Sequence, residues 1–361
     1  MKNYKRLGDY IREVNVRNRE LEVTKLVGLT IDKAFIPSVA NVIGTDLSNY
    51  KVIRKEQFAC SLMQVSRDGK MPVAMFEEDE AIMSPAYPMF EVIDKEILLP
   101  QYLMMWFSRS EFDREASYYA VGGVRGSLTW EDFCNMQLPI PSITRQREIV
   151  AEYETLTRRI RINEQMIQNL ESTAQTLYRK MFVDGIDKEN LPDGWRMGTL
   201  GEVATFKYGK LADKYPKSSK FPYPVFSGYA ITGYTNEYTL EERTIVIIAR
   251  GDAGTGRICM SPQKCFLSNL AIAIETKDKA IKDYLYYHLL DSDTMSLRSG
   301  SAQAQITINN IEPFEIIIPP NEICIVFSQC VKSLYNDIAL RTEENLKLTE
   351  LQSLLLAKMG Q

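Results

Sequence analysis

Histidine is almost missing from this sequence, because His288 is the only one among 361 residues. Ser–His and Cys–His catalysis and many zinc sites need histidine, so these functions would all depend on that residue. The six cysteines form no C-x-x-C pair, which argues against the usual zinc frameworks and favours reduced, mostly buried thiols. The sequence therefore indicates a protein that is not an enzyme by itself, with no metal and no cofactor of its own.

Long hydrophobic runs are also missing. No stretch approaches the ~18 apolar residues of a transmembrane helix, so we expect no membrane contact. No hydrophobic region follows Met1–Arg6, so a signal peptide is not expected and a cytoplasmic location is predicted. The formal net charge of −4 argues against nucleic-acid binding through overall charge. Any contact with DNA must therefore come from local loops on a mildly acidic body.

The most regular pattern lies between Thr144 and Val183, where apolar residues recur at alternating steps of four and three. This is the spacing of a coiled-coil seam, because 3.6 residues per turn bring such positions onto one stripe. The predicted seam residues are Ile149, Tyr153, Leu156, Ile160, Ile167, Leu170 and Leu177. Asn163 is the one strongly polar residue on this stripe. We predict a single helix over residues 143–183 that needs a partner for its apolar stripe.

The same stretch recurs 178 residues later in the sequence. The second seam contains Leu334, Ile338, Leu348 and Leu355, and polar Arg341 interrupts it. Pro141 matches Pro319, and Thr129 matches Thr307, at the same offset. The alternative is two unrelated amphipathic helices with chance matches. Internal repetition that includes prolines outside the stripe instead indicates a duplicated fold.

The predicted fold class is α+β. Two similar globular domains are expected over residues 1–142 and 184–320, and long helices over 143–183 and 321–361. The first helix leads from one domain to the other, so the two stripes can be buried together only in an antiparallel pair. We predict a dumb-bell with pseudo-twofold symmetry and a rod roughly 60 Å long at ~1.5 Å per residue.

Local patterns predict the elements of each domain. In the first domain, Phe58–Val65 is predicted to be a strand that turns at residues 67–70 and returns over Met71–Met75 as a hairpin. Residues 101–116 are predicted to form one helix, because apolar residues recur at helical spacing. In the second domain, Thr244–Ala249 is predicted to be a buried strand.

One lysine-rich segment is predicted to be a DNA-contacting loop. Within 14 residues it contains Lys207, Tyr208, Lys210, Lys214, Lys217 and Lys220. Lysines suit contact with phosphates, because each neutralised phosphate releases counterions. The alternative is a solvated loop without a ligand.

Side chains suited to reading bases occur in two further segments that match each other in the repeat. Arg125 lies among glycines in the first domain, and Gln303 and Gln305 lie in the matching segment of the second. Arginine pairs well with guanine, and glutamine with adenine. Further candidates are Gln64 and Arg67 at a hairpin end, and Arg250, which is expected to face an anionic partner beside the surface turn Gly251–Gly256. For each of them the alternative is an ordinary surface position.

One further pattern leaves a catalytic alternative open. Asp252 with Glu275 and Lys277 has the loose spacing of a metal-dependent nuclease, in which carboxylates hold Mg²⁺ and a lysine lies near the attacking water. The pattern is short, so chance matches are frequent. A nuclease and a coiled-coil adaptor protein therefore stay as the two alternatives.

The paired layout resembles the specificity subunit of type I restriction–modification systems. The residues that carry the resemblance are Leu138-Pro139-Ile140-Pro141 and Gln146-Arg147-Glu148-Ile149-Val150 at the first long helix, Leu200-Gly201-Glu202-Val203 at the start of the second domain, and Ile318-Pro319-Pro320 before the second helix. The resemblance covers essentially the whole chain. Asn321–Ile325 departs from the family, which usually has a Glu-Gln pair there.

The resemblance implies that each globular domain is a target-recognition domain for one part of a split, asymmetric sequence in double-stranded DNA. It implies that the helix pair separates the two domains and docks two methyltransferase subunits, which bind S-adenosylmethionine and methylate adenine. Restriction subunits would join this complex. S-adenosylmethionine, ATP and Mg²⁺ are then expected on the partner subunits and not on this chain.

Overall fold

The computed structural model describes residues 4–38, 44–63, 65–121, 126–212, 215–218, 220–251, 254–299 and 304–360. The chain divides into two compact units. The first unit holds residues 1–164 and 342–361, and the second holds residues 165–341.

The first unit is a mixture of short strands and helices. Its elements are β1 (Tyr4–Arg6), β2 (Ile11–Glu13), β3 (Val27–Leu29), β4 (Phe35–Pro37), β5 (Lys51–Arg54), β6 (Phe58–Cys60), α1 (Val65–Asp68), β7 (Val73–Met75), β8 (Glu80–Met83), β9 (Met89–Val92), α2 (Pro100–Phe107), α3 (Ser110–Ala120), α4 (Trp130–Asn135), β10 (Gln137–Pro139) and the first part of α5 (Ile143–Phe182). An antiparallel sheet in the order β2-β9-β6-β7 packs its apolar face against α2, α3 and α4. Stacked and edge-on rings of Phe58, Phe90 and Phe107 lie at the centre of this core.

Two local predictions for the first unit were wrong. β6 and β7 do form an antiparallel pair, with Ala59 opposite Ala74, but β6 ends at Cys60 and the short helix α1 replaces the predicted turn. The predicted single helix over residues 101–116 is two helices, because Arg109 adopts an extended backbone between α2 and α3. Both helices bury one face, so the apolar spacing continues across the break.

The second unit has the same mixed content. Its elements are the last part of α5, β11 (Arg196–Thr199), α6 (Leu200–Val203), β12 (Ala204–Tyr208), β13 (Tyr223–Phe226), β14 (Ile231–Thr235), β15 (Ile245–Ile248), β16 (Ile258–Met260), β17 (Phe266–Leu267), β18 (Ala271–Thr276), α7 (Lys282–Asp291), α8 (Ile308–Ile311), β19 (Glu315–Ile318) and the first part of α9 (Asn321–Met359). One antiparallel sheet has the order β12-β18-β15-β16, and a second has the order β14-β13-β17. The strand predicted over Thr244–Ala249 is confirmed as β15, whose residues are all buried.

Equivalent contacts recur in the two units, and Met136 and Phe314 in the first of them have the predicted offset of 178. In the first unit the amide of Leu7 donates to the carbonyl of Met136 at 2.8 Å, and in the second the amide of Leu200 donates to that of Phe314 at 2.9 Å. Thr129 and Thr307 each cap a short helix, α4 or α8, with a side-chain oxygen. The repeat in the sequence is therefore a repeat of local structure.

The two long helices have nearly the predicted bounds, since α5 covers Ile143–Phe182 and α9 covers Asn321–Met359. All predicted seam residues are half-buried. Within the first unit the helical segments run antiparallel, because Thr157 is hydrogen bonded to Gln352 and Asn163 to Asn345.

One sequence expectation about α9 needs correction. By length and composition alone, α9 could cross a membrane, since it contains an 18-residue window of mean hydropathy 1.2. A search for uninterrupted apolar runs misses such a helix, because isolated polar residues interrupt the run without removing its apolar character. Cys324, Phe327 and Val331 from this stretch are buried in the core of the second unit.

Candidate nucleic-acid interface

The main sheet of the second unit brings several loops to one edge. β12 and β15 are both antiparallel to β18, so their carboxyl ends lie at the same edge as the start of β18. Backbone hydrogen bonds from Gly209 to Ala271 at 3.0 Å and from Ala249 to Leu270 at 2.8 Å hold these ends together. We call this the loop edge of the second unit, comprising residues 208–210, 249–251 and 268–271.

The segment 304–308 crosses the loop edge. The amide of Ile306 donates to the carbonyl of Ala249 at 2.8 Å, and the amide of Ile308 donates to the hydroxyl of Tyr208 at 3.1 Å. Gln305 is fixed by a two-way backbone pair with Ser299. The loop edge therefore gathers residues that are about 100 positions apart in the sequence.

Four of the predicted DNA-contacting residues lie at or beside this edge: Tyr208, Lys210, Arg250 and Gln305. All four are exposed. Backbone hydrogen bonds hold Lys210 to Leu267 at 2.9 Å and Arg250 to Leu270 at 3.2 Å. Two cations, an aromatic ring and an amide side chain on a fixed backbone are suited to a nucleic-acid surface.

The rest of the lysine-rich segment is not the single loop that the sequence predicted. Lys207 and Tyr208 belong to β12, because their backbone pairs with β18, and the Lys207 ammonium pairs with Glu275 at 2.7 Å. Lys217 forms an isolated backbone bridge with Thr235 of β14. Lys220 is exposed beside the second sheet. These lysines therefore spread over two sheets.

Four candidates lie outside the described residues, namely Gln64, Arg125, Lys214 and Gln303. Asp252 of the nuclease pattern also lies outside them.

The first unit has an equivalent of the loop edge. The amide of Leu128 donates to the carbonyl of Leu62 at 2.8 Å, and Leu128 lies 178 positions before Ile306. Gly126 lies so close to Ser66 that a Cβ there would come within 2.1 Å of the Ser66 hydroxyl. Arg67 is nearby on α1, not at a hairpin end as predicted, and its guanidinium pairs with Asp68 at 2.7 Å.

Neither Glu275 nor Lys277 is arranged for metal-dependent hydrolysis. The Glu275 carboxylate pairs with Lys207, and the Lys277 ammonium donates to the carbonyls of Gly201 at 2.8 Å and Glu202 at 3.0 Å. Among the residues that the structure describes, no group of three or more His, Cys, Asp and Glu side chains could hold a metal ion. This geometry gives the nuclease alternative no support.

Two titratable groups of the second unit have shifted pKa values because they are largely shielded from solvent. Burial raises the pKa of the Cys259 thiol to about 12, and this thiol donates to the carbonyl of Gly228. Burial lowers the pKa of His288 to about 4, with a smaller contribution from Lys188, and its Nδ1 is hydrogen bonded to the Tyr178 hydroxyl at 3.0 Å. A buried thiol and a buried neutral imidazole are suited to packing and not to catalysis.

Comparison with known proteins gives matches to one family. The model of the Type I restriction modification DNA specificity domain matches residues 192–350. The chain as a whole is similar to specificity subunits of type I restriction enzymes. It is 22% identical to the MjaIX specificity subunit of Methanocaldococcus jannaschii, over 74% of the chain and 70% of that relative. It is 21% identical to the putative MjaX specificity subunit of the same organism, over 87% of the chain and 79% of that relative.

A solved structure shows the same fold. The S subunit of a type I restriction–modification system from M. genitalium superposes on this chain with a TM-score of 0.61 at 16% identity. The match covers 100% of this chain and 96% of the other.

The structure adds side-chain contacts that sequence reasoning did not predict. Arg298 donates through Nε to the carbonyl of Thr255 at 2.8 Å, beside the loop edge. Gln146 is fully buried at the first turn of α5 and hydrogen bonded to three backbone groups. The contacts of Arg298 with Thr255 and of Gln146 with Ile97 and Leu99 join residues more than 40 positions apart, so local sequence patterns do not predict them.

Proposed function

We propose that this chain is a specificity subunit that recognises a bipartite, asymmetric sequence in double-stranded DNA and has no catalytic group of its own. Residues 1–142 and 184–320 are the two target-recognition domains. The observation that carries this proposal is the repeated loop edge, at which Leu128 and Ile306 make the same backbone contact in the two units. Similar scaffolds with different polar residues fit two readers of different half-sites.

At the loop edge of the second unit, the available chemistry suits direct reading of bases. The Arg250 guanidinium can donate to both acceptors of guanine, and the Gln305 amide can pair with adenine in the major groove. Lys210 supplies a cation for a neighbouring phosphate, which fixes position without reading sequence. Local cations are needed here because the net charge of the chain is −4.

The long helices over residues 143–183 and 321–361 act as the spacer between the half-sites in this proposal. A 40-residue helix is roughly 60 Å long at ~1.5 Å per residue. At ~3.4 Å per base pair that length spans at most about 17 base pairs, so half-sites about one turn apart fit. The antiparallel contacts within the first unit support this arrangement.

The helix pair also docks two methyltransferase subunits in this proposal. Those subunits carry S-adenosylmethionine and methylate adenine, and restriction subunits with ATP and Mg²⁺ join them in the cytoplasm. Exposed apolar side chains on α9, namely Leu346, Leu351 and Leu354 of the first unit and Ile325, Val326 and Leu340 of the second, support a protein contact on this helix.

Mapping of modified adenines tests the proposed function. The genome of the host is sequenced for methyladenine with and without this chain, in the presence of its methyltransferase subunits. We expect one split motif with two unlike halves to be methylated only when the chain is present. Methylation that is independent of the chain would contradict the proposal, and Mg²⁺-dependent cleavage by the purified chain would favour the nuclease. Tight assembly without any DNA sequence preference would favour an adaptor.

A further inference from the structure

The loop that follows β15 is tied to the segment after α7 by side chains as well as by packing. Arg298 donates through both Nε and Nη2 to the carbonyl of Thr255. The Thr294 hydroxyl donates to the carbonyl of Gly256 at 2.6 Å. Thr255 and Thr294 are both buried. Two consecutive carbonyls of the loop are therefore fixed by two side chains of one short segment, which we call the 294–298 clamp.

The loop lies against this clamp at a distance that only glycine permits. Gly256 has φ +92, and a Cβ there would come within 2.9 Å of the Met295 sulfur and 3.1 Å of the Thr294 carbonyl. The Gly256 amide donates to the carbonyl of Ile248 at 2.8 Å, so the loop turns back onto the end of β15. Residues 254–257 of the loop are therefore held by the clamp on one side and by the end of β15 on the other.

An arginine lies at each end of this loop, and the position of the loop backbone sets the position of each arginine. Arg250 and Arg257 are exposed, and neither makes an ion pair with another described residue. The clamp is followed at once by Ser299, which pairs with Gln305 through two backbone hydrogen bonds. Arg298 thus lies between the Arg250–Arg257 loop and the segment that presents Gln305.

We propose that Arg298 is a positioning residue for DNA reading by the second domain, an inference that rests on the proposed function. Its guanidinium holds the Thr255 carbonyl and thereby fixes where Arg250 and Arg257 stand relative to Gln305. Bidentate base contacts need this, because a guanidinium must meet two acceptors on one base edge at once. Arg298 acts through the loop and not as a phosphate contact.

The first domain holds its corresponding segment in another way. The positions 178 residues before Thr294 and Arg298 are Ala116 and Ala120. Both alanines are buried on α3 in the core that also contains Val65 of α1. Apolar packing replaces the polar clamp there, so loss of Arg298 affects one half-site only.

The test compares variants of the specificity subunit assembled with its methyltransferase subunits. R298K keeps the charge, but an ammonium is a point charge that cannot reproduce the planar fork. R298A removes the charge, and T294V removes the second hydrogen bond without changing charge. R196A is the matched control, because Arg196 makes side-chain hydrogen bonds to Met197 and Glu202 in the same unit but precedes β12 at the opposite edge of the sheet.

We expect both Arg298 variants to lose roughly tenfold in discrimination against single-base changes in the second half-site. T294V loses less in the same direction, and R196A behaves as wild type. Discrimination at the first half-site and the salt dependence of binding stay unchanged in R298K. Amide exchange at Gly256 and Arg257 of the free subunit becomes faster in R298K, which reports the loop directly.

Three outcomes would overturn the proposal. Wild-type discrimination in R298K together with a salt slope lowered by about one in R298A would make Arg298 a phosphate contact. Equal losses at both half-sites would indicate general destabilisation. Unchanged exchange and unchanged discrimination in R298A would show that the clamp does not matter. If the wild-type complex itself showed no bipartite preference, the proposed function would fail instead, so the two failures are distinguishable.

Discussion

Asn163 donates a hydrogen bond from its fully buried side-chain amide to Oδ1 of Asn345 at 2.9 Å, across the antiparallel helical segments of the first unit. The same amide donates to Glu344 at 2.8 Å, and Glu344 also accepts from Arg159. These side chains form a polar layer in the seam. In coiled coils such a layer specifies register at a cost in stability.

This layer gives a prediction about register. N163L alone should lower the free energy of unfolding by about 1–3 kcal/mol, because the half-buried Asn345 side chain loses its donor. The double variant N163L/N345L should recover that stability and lose register. Urea unfolding measures the first effect. Short-reagent cross-linking between cysteines at positions 157 and 352, whose native side chains are 2.7 Å apart, measures the second. The prediction would be contradicted if the double variant cross-linked as efficiently as the protein that retains Asn163 and Asn345.

A second prediction concerns the start of α5. Gln146 accepts from the Leu99 amide at 2.9 Å and donates to the carbonyls of Ile97 at 2.8 Å and Pro141 at 2.9 Å. Q146A leaves these groups unpaired in a buried place, so we expect a loss of about 2–3 kcal/mol in the free energy of unfolding. Q168A, on an exposed position of the same helix, is the control and should change stability by less than about 0.5 kcal/mol. Equal effects of the two substitutions would count against this role.

The stability of the second unit should depend on pH through His288. Burial lowers its pKa in the folded state to about 4, from an ordinary value of 6.5. Between these values the unfolded chain binds a proton that the folded chain does not, so stability falls as the pH decreases from 6.5 to about 4 and changes no further through this group below that.

The expected loss over that pH range is at most about 3 kcal/mol. The variant H288N places an amide oxygen near the Tyr178 hydroxyl and cannot titrate there. Urea unfolding at several pH values should therefore give a flatter profile for H288N than for the wild type. Parallel profiles for the two proteins would show that His288 does not cause the acid sensitivity.

The loop edge predicts which cations determine the salt dependence of DNA binding. K210A should reduce the slope of log K against log salt by about 0.9, because it removes one phosphate contact, and R250A should change the slope less, because Arg250 is proposed to contact bases. K207A should have a smaller effect, since Lys207 is paired with Glu275 on the face of the sheet. K279A is the control, because Lys279 follows β18 at the opposite edge and pairs with Glu242. A larger slope change in K207A than in K210A would exclude the loop edge as the contact surface.

The spacer proposal predicts the effect of inserting one heptad into each long helix. Seven residues add about 10 Å, which corresponds to about three base pairs. Methyladenine mapping should show both half-sites unchanged and the gap between them longer by that amount. A four-residue insertion is the control, because it rotates the apolar stripe and should weaken assembly. Changed half-sites in the heptad variant would refute the spacer role.

Local patterns in the sequence were sufficient to predict the long helices and the repeated local structure of the two units. The bounds of α5 and α9 follow from helical spacing and from Pro141, Gly185 and Pro320 beside them. The offset of 178 residues predicted equivalent structure, and Thr129 and Thr307 do cap equivalent helices. Such features depend on neighbours within a few turns of chain, so a sequence alone contains them.

The break between α2 and α3 is a feature that the local sequence pattern did not predict. Helical spacing continues through Arg109 although its backbone is extended, because each helix buries its own face against the same core. The guanidinium of Arg109 lies 4.0 Å from the Trp106 ring. A periodic pattern reports which side is buried and not whether the helix is continuous.

The candidate interface was determined only in part by the sequence. Residue type alone selected Lys210, Arg250 and Gln305 as suited to DNA, since cations and amides are what phosphates and bases require. Strand register decided that these three share an edge while Lys207 is paired with Glu275 on the sheet face. The role of Arg298 was decided by the fold alone, because its partner Thr255 is 43 positions away and only the packed chain brings that carbonyl to the guanidinium.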